Sequence, residues 1–189
     1  MWALVESGSV SKVYTQPKQI TVGDIQYPSN IFMLWTSSEL EAIGIYEVVI
    51  DNTNYKDPEY YINTNQSFAF GSGKVTATYG TATAKALDDT TTDGVVTRGL
   101  KYTHSEKIDS QAYGLLQPND WMVVRNAESS KAIPSDWLDY RVAVRTAASN
   151  MRTKINAVAN VDALAALYVY NDATPPVRPL GDWPTEPTS

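Results

Sequence analysis

His104 is the one histidine in the chain, so it is the first residue to test for chemistry. A histidine relay needs an activated serine or cysteine beside it. The chain has neither a Gly-x-Ser-x-Gly turn nor any cysteine. Zinc wants clustered His and Cys ligands, which a single histidine cannot supply. His104 instead falls on the apolar side of a helical pattern, where a satisfied packing role is expected. The loop Asp51, Asn52, Asn54, Asp57, Glu59 offers the oxygen ligands that calcium takes. Yet Lys56 stands at the sixth position, where a calcium loop turns on glycine, and Ile62 at the twelfth, where it needs glutamate. A solvated loop is the better reading. The carboxylate pairs Asp88-Asp89 and Asp136/Asp139 would cut a glycoside only within a sugar-shaped cleft. Solvation and helix-start electrostatics account for them more simply. No glycine-rich phosphate loop is present, and no enzymatic function or cofactor is expected.

Composition narrows the field further. The formal charge is −6, from 15 basic and 21 acidic side chains, and no basic run exceeds two residues. Binding along nucleic-acid phosphates is therefore not expected. The amino terminus lacks the basic and apolar regions of a secretion signal, and no apolar run approaches membrane-spanning length. The absence of cysteine points toward a reducing compartment. Tyrosine (12) greatly outnumbers phenylalanine (3), a bias that suits wet, half-buried interfaces. A chain of 189 residues can bury roughly 70% of its unfolded surface as one body, and is long enough for two small domains.

The elements read as α+β, a β-rich half of hairpins followed by a helical half and an extended Pro-rich tail. Residues 2–5 and 9–14 form strands about Ser7-Gly8, and Ile20–Val22 and Ile25–Tyr27 about Gly23-Asp24. The apolar run Ile31 to Trp35 reads as a buried strand. Ser37 to Ala42 makes a helical turn capped by Ser37 or Ser38, and Gly44 to Ile50 another strand. A long hairpin, Tyr60 to Phe70 and Lys74 to Tyr79, turns at Gly71-Ser72-Gly73. The β-rich domain is thus placed at 1–87, the polar stretch 88–94 (DDTTTDG) as a linker, the helical domain at 95–170 and the tail at 171–189.

In the helical half, Leu100, His104, Ile108, Ala112 and Leu115 recur at helical spacing. Pro118 suits a first helical position, with Asn119 and Asp120 as capping oxygens. Pro134 opens a longer helix whose apolar stripe runs Trp137, Tyr140, Val144, Ala148, Met151, Ile155, Val158. That stripe fits a core-packing helix or a short coiled-coil seam. Trp137 and Tyr140 are expected to be buried near Trp121. Asn160 or Asp162 caps a last short helix, Ala163 to Tyr168. The tail carries Pro175, Pro176, Pro179, Pro184 and Pro187, too many for regular structure. Trp183 is its expected anchor, with Pro184 and Pro187 beside it, either as an arm that binds a partner or as a strap over the chain's own helices.

One set of residues resembles a known family. The opening MWALVESGSVSKVY and Leu34 to Val49, with Gly44-Ile45-Tyr46, are similar to segments of bacteriophage tail-fibre assembly chaperones. The strongest resemblance joins Leu115-Leu116, Asp120-Trp121, Arg125, Ile133-Pro134, Trp137, Tyr140-Arg141 and Arg145, followed by Trp183-Pro184 and Pro187. Two features depart from that pattern: the helix runs on past Arg145, and the Tyr60 to Lys85 region is longer than a minimal member needs. The resemblance implies a non-catalytic protein that binds the tail fibre or another tail protein and assists its assembly, with room for a homo-oligomer. It would act in the host cytoplasm during assembly or remain in the virion tail. A permanent virion component and a glycan-binding adhesin are the alternative readings.

Overall fold

The computed structural model describes residues 1–188, and its chain divides into two compact units between Thr83 and Ala84. The fold is α+β, as expected. In the first unit β1 (Trp2–Glu6), β2 (Ser9–Tyr14), β3 (Ile20–Val22) and β4 (Ile25–Tyr27) precede two short helices, α1 (Ile31–Leu34) and α2 (Ser37–Ala42). Then come β5 (Ile45–Asp51), β6 (Tyr61–Ile62), β7 (Gln66–Gly71) and β8 (Lys74–Tyr79), and β9 (Thr83–Ala84) falls at the division itself. Five strands form one sheet in the order β2-β1-β5-β8-β7, and only β5 and β8 run parallel. The sheet curls into a half-barrel that brings its edge strands β2 and β7 close together.

Strand alternation sorts the side chains between two cores. Ala3, Val48, Val75 and Ala77 collect on one face with Val13, Tyr46, Phe68 and Phe70. Leu4, Tyr14 and Ile45, on the other, meet Ile20, Ile31, Phe32 and Leu40 from the elements that cover it. The β1–β2 and β7–β8 turns use Ser7-Gly8 and Ser72-Gly73, with positive φ at both residues, as tight hairpins of right-handed twist require. Gly44 has a different reason. At φ +81° a Cβ would stand 2.9 Å from the Val5 carbonyl oxygen, and the Val5 N–H needs the Gly44 carbonyl at 2.8 Å.

Three expectations fail in this unit. Ile31 to Trp35 is no strand: Ile31–Leu34 is helical and buries Ile31 and Phe32, while Met33 and Leu34 stay 70% and 73% exposed. An unbroken apolar run has no period to separate the two structures, and Pro28-Ser29-Asn30 starts the turn. The expected first arm Tyr60 to Phe70 is also broken, since β6 stands outside the five-stranded sheet. Finally, α2 is capped by Thr36, one residue before the serines. Its side chain accepts from the Glu39 N–H while its own N–H and hydroxyl each donate to Glu39 at 2.8 Å.

Those hydrogen bonds, the backbone one first, hold the Glu39 carboxyl below its ordinary pKa. The folded pKa is depressed, so this contribution is complete above the unfolded value of about 4.3 and is lost as pH falls through the lowered one. Glu39→Gln is therefore expected to flatten the acid side of the stability curve. Melting curves of both proteins from about pH 6 to about pH 3 check it. An unchanged acid limb would show that the box contributes nothing.

The second unit begins with a hairpin, β10 (Thr90–Thr92) and β11 (Val95–Thr97), where a linker was expected. Asp93-Gly94, both at positive φ, makes its turn. Asp88 and Asp89 are not free solvating charges: Asp88 pairs with Lys101 at 3.0 Å and Asp89 with Arg98 at 2.5 Å. The Ala86 and Leu87 carbonyls and the Asp89 carboxylate take the Leu100, Lys101 and Gly99 N–H groups that open α3 (Leu100–Leu116). Gly99 is required here, because a Cβ would fall 2.4 Å from the Asp88 carbonyl carbon. A 3-10 turn, Gln117–Asn119, leads to α4 (Asp120–Ser129), then α5 (Ser135–Ala157) and α6 (Val161–Ala166). The helical part thus starts at 100 instead of 95. The α3 stripe Leu100, His104, Ile108, Ala112 is buried as expected, as are Val144, Ala148, Met151 and Ile155 of α5, and the two helices pack together. Asn160 caps α6 by accepting from the Ala163 N–H at 2.8 Å.

Candidate functional site

Part of the Leu115 to Arg145 pattern meets at the junction where α3 turns into α4 and α5 packs on α3. Arg141 is at its centre. Its side chain is 5% exposed, and its guanidinium donates to the Leu116 carbonyl at 3.1 Å, to the Asn119 side-chain oxygen, and to Asp120 at 2.7 Å. Asn119 in turn donates to the Leu115 carbonyl at 3.2 Å. One buried cation from α5 thereby satisfies the carboxyl end of α3, where the helix dipole is negative, and fixes the turn into α4. Asn119 and Asp120 were expected as caps of α4. No side-chain cap forms there; the Asn119 side-chain oxygen and one Asp120 oxygen accept from Arg141 instead.

Tyr140 is buried, and half-buried Trp137 meets it edge-on with ring centroids 6.0 Å apart. Burial first, and then the charge of Glu186, raise the Tyr140 hydroxyl pKa. Trp121 departs from expectation, being 53% exposed instead of sealed against Trp137. The Arg125 guanidinium lies over its ring at 4.8 Å. Arg145 is exposed and donates to the Arg141 carbonyl at 3.3 Å; Pro134 sits at the exposed start of α5. Leu115 and Leu116 are half-buried. Around buried Arg141, Trp121 and Val124 of α4 and Leu138 and Val142 of α5 are each about half exposed.

Comparison of the chain with protein-family models, with curated proteins and with solved structures finds no match in any of the three.

The other candidates lie apart from this junction. His104 is buried, its Nδ1 2.8 Å from the Tyr168 hydroxyl. Asp51 accepts from the Thr53 N–H and hydroxyl, and Asp57 from the Glu59 N–H, so the polar loop uses its carboxylates to turn the chain. Among the described residues no group of three or more His, Cys, Asp or Glu side chains is placed to hold a metal ion. No helix of the described residues is long and apolar enough to cross a membrane.

The tail lies on the chain's own helices. Its deepest residue is Leu180, 1% exposed, where the sequence pointed to Trp183. The Leu180 N–H donates to the Leu167 carbonyl at 2.9 Å, and Lys154 of α5 donates to the Pro179 and Leu180 carbonyls at 2.8 and 3.2 Å. Trp183, Pro184 and Pro187 are half-buried, and the Trp183 indole N–H donates to the Gln111 side chain at 3.2 Å. Size alone favoured the indole. The signal that was missed is that Leu180 is the one aliphatic residue between two chain-bending neighbours, Pro179 and Gly181.

Proposed function

We propose that this chain is a non-catalytic bacteriophage tail protein that binds the tail fibre and assists its assembly or attachment. One observation supports the reading above the others: Arg141 of α5 ties together pattern residues from the end of α3 and the start of α4. Arg141 joins Leu116, Asn119 and Asp120, Trp137 meets Tyr140, and Arg125 covers Trp121. Pattern residues joined in one buried network are a stronger sign than the same residues scattered. The exposed face of α4 with Trp121 and Val124 is the surface we assign to the fibre chain, with Trp121 as its anchor, since indoles carry much of the binding energy of interfaces. The adhesin alternative gains no support from these indoles, because half-buried Trp137 and Arg125-covered Trp121 do not offer a flat exposed pair.

Trp121→Ala separates binding from folding. Because Trp121 is half exposed, the substitution is expected to cost the fold less than about 1 kcal/mol. Its effect on fibre capture should be at least about tenfold, as for an interface anchor. A pull-down against the fibre chain, paired with a melting curve, reads both. Normal fibre capture by this variant would move the contact elsewhere. Mass spectrometry of purified particles then distinguishes a released assembly factor from a retained tail component by its stoichiometry.

A further inference from the structure

The tail falls into two parts with different attachments. Up to Gly181 it is locked: Leu180 is buried, Lys154 holds two of its carbonyls, and Arg178 donates to the Gly181 carbonyl and pairs with Asp182 at 3.3 Å. Beyond Gly181, among the described residues, no backbone–backbone hydrogen bond ties the tail to another segment. The attachment there rests on side chains: half-buried Trp183, Pro184 and Pro187, the single indole hydrogen bond to Gln111, and the Asp182 carboxylate that accepts from Tyr170 at 3.0 Å. Gly181 itself has φ +98°, a conformation that side-chain-bearing residues rarely adopt, and it marks the point where the two parts join.

The surface beneath the outer part is a groove that this segment does not fill. Trp183 stands between two hollows, one of about 440 Å³ along Ala143, Ala147 and Asn150 of α5, the other of about 300 Å³ beside Gln111 and Gly114 of α3. The floor is shallow. Ala143 and Ala147 are one turn apart, and a Cβ built on Gly114 would meet nothing within 4 Å, so the segment leaves the space over Gly114 open. The extended segment places the Trp183 ring between the two hollows, with its indole on Gln111. Prolines on either side of the aromatic residue keep such a chain extended and lessen the entropy lost on docking.

We infer that this α3–α5 groove is a peptide-binding site for an extended, proline-flanked aromatic segment, and that residues 182–188 of the chain itself are its displaceable resident. The inference does not depend on the identity of the partner. A tethered segment competes at an effective concentration on the order of 1 mM, so the groove is closed in the intact chain and opens to an outside segment only when the resident leaves. The segment up to Leu180 stays in place and keeps the helices together.

The test uses a chain ending at Gly181 and a fluorescent peptide of residues 181–188. The truncated chain is expected to fold and melt within a few degrees of the full chain. It should bind the peptide, while the full chain at the same concentration binds at least tenfold less. Trp183→Ala in the full chain should restore part of the peptide binding, and Ala147→Arg in the truncated chain should abolish it. Failure of the truncated chain to fold would overturn the inference, because the outer segment would then be part of the core. So would failure of the peptide to bind it, or equal binding to both chains.

Discussion

Leu180→Asp should be among the most damaging single substitutions in the helical unit, and Leu180→Ala should already cost it about 3 kcal/mol. Leu180 is 1% exposed, and truncating a buried leucine to alanine removes transfer energy and leaves a cavity, together about 2–5 kcal/mol. Aspartate adds an unpaired charge in the same place, so loss of the folded unit is expected. The alanine variant should lower the melting temperature on the order of 10 °C. Deleting 171–189 should do at least as much, because it also removes the carbonyls that Lys154 holds. Thermal melts of the three variants decide it. A deletion that melts like the intact chain would mean that the tail is only a free arm.

Arg141→Ala is the second large effect, at about 3–5 kcal/mol, the range for removing one partner of a buried charged network. The loss is asymmetric. The buried Asn119 side-chain oxygen (residue 2% exposed) and the Leu116 carbonyl would each lose their donor, whereas the Asp120 side chain, 51% exposed, would turn to solvent. Asp120→Asn should therefore cost less than about 1 kcal/mol, because water screens that half of the pair. Arg141→Lys should not rescue, since an ammonium cannot span three acceptors in the plane of a guanidinium fork. Denaturant titrations of the three variants give the order. Equal losses for Arg141→Ala and Asp120→Asn would place the stabilisation in the ion pair instead of the buried hydrogen bonds.

What was legible in the sequence followed from period. Alternation gave β1, β2 and the β3–β4 pair, and the 3.6-residue stripe gave the buried faces of α3 and α5. Where period was absent, the reading failed. Ile31 to Leu34 is apolar throughout, so nothing in it distinguished a strand from a turn of helix. Residues 88–94 were read by polarity as a linker, although Asp93-Gly94 is itself a hairpin turn signal. The junction was legible as a set of residues but not as an arrangement. Arg141 is a charge on a mostly apolar face, and only the fold shows that three oxygens from another segment surround it. Trp121 is exposed where burial was expected, and Leu180 anchors the tail where Trp183 was expected, because burial depends on the path of the chain and not on the size of the side chain.

The proposed function is tested most directly by expressing the tail-fibre chain with and without this protein and measuring the yield of soluble fibre trimer by size-exclusion chromatography with light scattering. The account predicts that trimer yield rises severalfold when the intact protein is present and rises less with Trp121→Ala. A yield of trimer that is the same with and without the protein would contradict it.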